Sequence, residues 1–166
     1  MQDDRITVDL EDRIREIDDA MADIRSEAAD PDIDRHSEKG QQLAEEYEQL
    51  ERAKQRLERD IERFGGSEWV IKRFRFGEVN QVNDMVLSDT IDDDQEDPRK
   101  KFSARKARTI QVGVVEAPPN APADLEPRSL EPPTGEYLYQ CIDNLNEYGE
   151  VTLSDFSLWN ELDDES

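Results

Sequence analysis

The sequence predicts a mainly α fold: an N-terminal antiparallel helical hairpin of coiled-coil type, followed by a small helical domain with a minor β-strand element. Three observations carry this reading. Apolar residues recur in alternating steps of four and three from residue 10 onward. β-Branched and aromatic residues cluster at residues 68–76, and six prolines fall between Ala117 and Pro133.

In the first segment Leu10, Ile14, Ile17, Met21, Ile24 and Ala28 share one seam of an amphipathic helix. The helix should stop near Asp30-Pro31, because proline disfavours helical geometry in the residue before it. Asp30 is placed to cap a second helix that carries Pro31 at its first position. That second helix is read from about residue 32 to Phe64. Its seam holds Leu43, Tyr47, Leu50, Leu57, Ile61 and Phe64, Lys54 interrupts it, and Gly65-Gly66 ends it. At about 1.5 Å per residue the two helices reach roughly 30 and 48 Å, so they pair over only part of the longer one. Ile33, His36 and Gly40 make a weak start to the second seam. A pair of seams is marginal alone, so a homo-oligomer is expected.

Residues 68–76 read as a short strand ending at Gly77. Val79, Val82, Met85 and Val86 mark a short helix, and residues 89–97, with six acids and no base, read as a solvated loop. Beyond Pro98 the sign inverts: Arg99, Lys100, Lys101, Arg105, Lys106 and Arg108 fall in a helix expected to reach about Val115. The prolines that follow sustain neither helix nor central strand and give an extended connector. A helix resumes after Pro133 on Tyr137, Leu138, Cys141, Ile142 and Leu145 and ends at Tyr148-Gly149. Thr152 or Ser154 then caps a last short helix containing Phe156, Leu158, Trp159 and Leu162. The expected division is a helical hairpin at 1–66, an α-rich domain at 67–148, and a short helix with an acidic tail at 149–166.

The chain carries 43 acidic and 21 basic residues for a net charge of −22, and its bases are mostly arginine. Self-repulsion of this size loosens a compact state unless counterions screen it. Abundant acids with little lysine resemble the composition of salt-in halophilic archaea and their viruses. An acidic disordered chain is the competing reading, and the regular apolar periods favour the folded one. A single cysteine, Cys141, excludes an internal disulfide and a multi-cysteine zinc site. The start Met1-Gln2-Asp3-Asp4 lacks the blocks of a signal peptide, and no apolar run approaches the ~18–20 residues that cross a bilayer. A cytoplasmic protein, in the host cell if viral, with no membrane partner, is expected.

Catalytic chemistry finds little to work with. His36 is the only histidine, and among 43 acids any carboxylate spacing arises by chance. Asp30, Asp32 and Asp34 imitate the start of a calcium loop, yet the sixth position is Arg35 where glycine is needed and the twelfth is Gln41 where glutamate is needed. The run from Asp92 to Asp97 has no turn-forming glycine, and no phosphate-cradling glycine pattern occurs. No catalytic residue, cofactor or metal is therefore expected, and the protein should not be an enzyme. The basic helix is the one place to argue nucleic acid, but the −22 charge and high salt oppose such binding, so no nucleic acid is expected. That helix either neutralises acids of its own chain or docks an acidic partner.

Residues 68–79, Glu-Trp-Val-Ile-Lys-Arg-Phe-Arg-Phe-Gly-Glu-Val, resemble the opening strand and helix of tail assembly chaperones from tailed viruses. The likeness continues in Thr109-Ile-Gln-Val-Gly-Val-Val-Glu-Ala-Pro-Pro-Asn-Ala-Pro. It resumes at Leu130-Glu-Pro-Pro-Thr-Gly-Glu-Tyr-Leu-Tyr-Gln-Cys-Ile-Asp-Asn-Leu-Asn. It covers roughly residues 67–148 and is one of layout, while the hairpin of residues 8–64 departs from the usual pattern. The resemblance implies a non-enzymatic, mostly helical protein that coats the tape measure protein of a long-tailed virus and helps the tail tube protein assemble around it, and the acidic composition adds the expectation of a virus of halophilic archaea. Trp69, Phe74, Phe76, Phe156 and Trp159 are the expected partner-binding anchors, or else they close a small core. A structural coiled-coil adaptor or virion component is the alternative reading.

Overall fold

The computed structural model describes residues 4–90 and 98–149. Strand β1 (Arg5–Asp9) leads into helix α1 (Leu10–Ala28), which is followed by α2 (Glu38–Phe64), β2 (Glu68–Lys72), α3 (Phe76–Thr90), α4 (Pro98–Gly113), β3 (Val114–Glu116) and α5 (Pro132–Gly149). The fold is mainly helical with a minor β element, as the sequence predicts; that element is a three-stranded antiparallel sheet ordered β1-β2-β3. Among the described residues, no helix is long and apolar enough to cross a membrane. The expected solvated loop lies in part, at residues 91–97, outside the described residues, as does the expected last helix with Phe156 and Trp159.

Asp9 ends β1 and caps α1, its side chain accepting the Glu11 amide at 2.9 Å. Leu10, Ile17 and Met21 are buried along the predicted seam. Where Lys54 interrupts the seam of α2, its ammonium reaches Asp18 on α1 at 2.8 Å. That hydrogen bond outweighs the desolvation and raises the Lys54 pKa. The interruption is therefore an inter-helix tie.

The second helix begins at Glu38, six residues later than the sequence reading places it. Asp30 and Asp34 turn their carboxylates onto the amides of Asp32 and His36, both at 3.0 Å, and hold the link between the helices as successive turns. Ser37 is the cap of α2, accepting the Gly40 amide at 3.1 Å. Gly40 is needed there, because a Cβ would stand 2.4 Å from the Asp34 carbonyl oxygen. The weak seam start at Ile33, His36 and Gly40 is thus a loop folded over the first turn of a helix. The C-terminal end is as read, with Gly65 in the left-handed region at φ 72° and the Gly66 amide bonded to the Ile61 carbonyl at 3.1 Å.

β1 has no counterpart in the sequence reading. It pairs with β2 so that Val8 stands opposite Trp69, and both are buried. β2 ends at Lys72, earlier than Phe76, because the chain turns there into α3: the Arg75 amide bonds the Glu78 carboxylate at 3.0 Å, a reach back across the helix start. Similarly α4 ends at Gly113, and Val114 crosses onto β2 opposite Ile71, where the pairing shifts register. One core gathers Leu10 and Ile17 of α1, Leu57 and Phe64 of α2, Trp69 and Ile71 of β2, and Leu138 and Ile142 of α5. A second, smaller cluster joins Val82 and Val86 of α3 to Ala104 of α4.

Candidate functional site

α3 is apolar on two sides. Val82 and Val86 face α4, while Phe76 is 85% exposed, Val79 41% and Leu87 63%. Steps of three and eight residues put those three on one side of the helix, adjacent to the packed stripe. The helix is anchored at both ends by charge. At its start Glu78 accepts from Arg75 and pairs with Lys72. Burial works against that carboxylate, but the Lys72 and Arg75 bonds win and hold its pKa below the ordinary value. At its end Asp89 takes two bonds from Arg108 of α4, at 2.7 and 2.8 Å, and these outweigh desolvation to lower its pKa. The exposed apolar side therefore belongs to a fixed helix.

The predicted anchors separate into different settings. Trp69 is wholly buried, edge-on to Phe64 at 5.8 Å, and is a core residue in this fold with no surface for a partner. Phe74 is partly buried between the two clusters, and its amide bonds the Asn146 side chain of α5 at 2.9 Å. Phe76 alone of the described anchors stands at the surface; Phe156 and Trp159 lie outside the described residues. Val79 and Leu87 complete the exposed side and are not among the anchors the sequence predicts. Their spacing from Phe76 is the signal that finds them.

The described bases of α4 turn inward on their own chain. Arg108 holds Asp89, Lys106 holds Glu136 of α5 at 2.5 Å, and Arg105 donates to Oδ1 of the Asn83 side chain at 3.0 Å. Charge neutralisation within the molecule accounts for these three residues.

Reactive groups are dispersed. His36 is exposed in the α1–α2 link. Burial raises the Cys141 pKa, with the Tyr137 hydrogen bond opposing the shift. Among the described residues no group of three or more His, Cys, Asp and Glu side chains is arranged to hold a metal ion. A concavity of about 640 Å³ between α4, β3 and the connector is walled mainly by apolar and proline side chains such as Ile110, Val114, Pro118 and Leu125. No protein-family model matches the chain, and no match is found among curated proteins or solved structures.

Proposed function

We propose that this chain is a non-catalytic protein-binding protein that receives an apolar helical segment on the exposed side of α3. The carrying observation is Phe76, a large aromatic side chain left 85% exposed beside Val79 on a helix pinned at both ends. Large exposed apolar groups on a fixed surface mark interaction sites, and aromatic anchors supply most of the binding energy when they fill a pocket. Combined with the resemblance of residues 67–148, the proposed role is that of a viral tail assembly chaperone that binds the tape measure protein and assists tail tube assembly. The order of β2, α3, α4, the short strand β3, a proline connector and α5 across residues 68–149 supports that reading.

The experiment is capture of a co-expressed tape measure protein in high salt, with melting curves for every variant. Phe76→Ala should leave the melting point nearly unchanged and weaken capture about thirtyfold or more, as truncating an interface anchor does. Trp69→Ala serves as the contrast and should lower stability by roughly 3–5 kcal/mol. If folded wild-type protein captures no tape measure fragment, the chaperone reading falls and the structural adaptor replaces it.

A further inference from the structure

α2 carries arginine at 52, 56, 59 and 63, steps of four, three and four that set all of them on one side of the helix. The last two hold the chain that leads into α5. Arg63 donates to the Ser129 carbonyl at 2.9 Å and stands in ion-pair contact with Asp60 at 2.8 Å, and Arg59 approaches Glu131 at 3.9 Å. The first two open instead onto a groove of about 520 Å³ where α1, α2 and the first turns of α5 meet.

Arg13 enters this groove from α1, Arg52 and Arg56 from α2, and Tyr137 and Gln140 from α5. Against three guanidinium groups the lining offers one carboxylate, Glu136, and that one already pairs with Lys106. Arg13 and Arg52 hold only near neighbours on their own helices, Glu16 and Glu48, each at 3.0 Å. Exposed pairs of this kind exchange for a better ligand at little cost. Arg56 is exposed and has no ion-pair partner among the described residues. The first turn of α5 closes one side of the groove with Pro132 and Pro133, which bring no N–H donor of their own.

We propose that this groove binds a small multivalent oxyanion, of the phosphate or carboxylate class. Planar guanidinium groups match such oxyanions with paired N–H donors, and donors from three separate helices enclose more than one anionic centre. The site is distinct from the apolar side of α3 and does not depend on the chaperone reading.

The test is titration calorimetry of the full chain with pyrophosphate and, separately, with citrate, both at constant ionic strength set by sodium chloride. Saturable one-to-one binding of either anion is expected, and which of the two binds assigns the ligand to the phosphate or the carboxylate class. Arg56→Gln should weaken it about tenfold or more, the usual loss for one charge-assisted contact. Arg75→Gln, an exposed arginine outside the groove, should bind as wild type does. Melting curves without ligand establish that each variant is folded. Absence of saturable binding by both anions, or equal binding by Arg56→Gln and wild type, overturns the proposal.

Discussion

Asp60 is 1% exposed near the end of α2, and replacing it isolates what one buried carboxylate does for the whole fold. Its Oδ2 accepts the Glu131 amide at the entrance to α5 at 2.9 Å, and its Oδ1 pairs with Arg63 at 2.8 Å. Asp60→Ala removes both. Loss of an acceptor at a helix start costs about 1 kcal/mol, within a range of roughly 0.5–2. Arg63 is 46% exposed and keeps the Ser129 carbonyl, so it rehydrates. The broken pair therefore costs about 1 kcal/mol or less, well under the roughly 3–5 kcal/mol of a buried charge left without compensation. Together the loss is about 2 kcal/mol, which in a chain of this size lowers the melting point by roughly 4–8 °C. Asp60→Asn keeps a carbonyl oxygen for the Glu131 amide and should lose about half as much. Urea unfolding followed by circular dichroism measures both, and hydrogen exchange at the Glu131 amide should quicken in the alanine variant. Asp60→Ala within about 0.5 kcal/mol of wild type would refute the reasoning, as would an asparagine variant no better than alanine, since both deny that this amide needs its acceptor.

Gly40→Ala should destabilise the fold by about 1–2 kcal/mol in the same assay, because the contact with the Asp34 carbonyl outweighs alanine's better helix propensity; a stabilised variant would contradict the packing described. Asp89 has a folded pKa below its unfolded one, so its contribution is present above the ordinary value of about 3.9 and is lost as pH falls through the folded value. Asp89→Asn should accordingly be less stable than wild type at pH 6, with the difference shrinking as the pH is lowered below about 4; a constant difference would rule out that linkage. With a net charge of −22, helicity and thermal midpoint should fall as salt is reduced from molar to tens of millimolar, and circular dichroism that does not change would remove the halophile argument.

The parts legible in the sequence were those whose signal is local. The seam of α1, the glycine end of α2 and the apolar side of α5 repeat within a few residues, so their periods identify them without knowledge of a partner. β1 carries Ile6 and Val8 in alternation, but over five residues, and its existence depends on β2 some sixty residues later. Asp60 is chemically identical to many other acids in the chain, and only the arrival of α5 singles it out. The candidate site shows the same divide within a few residues. Trp69 and Phe76 lie seven positions apart in one segment rich in β-branched and aromatic residues and resemble each other as anchors. Trp69 falls in the central strand, opposite Val8 and against Phe64, and is sealed in the core. Phe76 falls at the first position of a helix that packs on α4 through the neighbouring stripe of Val82 and Val86, and it stays in solvent. The side chain's own chemistry is alike in the two places; what separates core from surface is whether a distant segment arrives to cover it. At Phe76 that segment is absent among the described residues, and a partner chain is the element proposed to supply it.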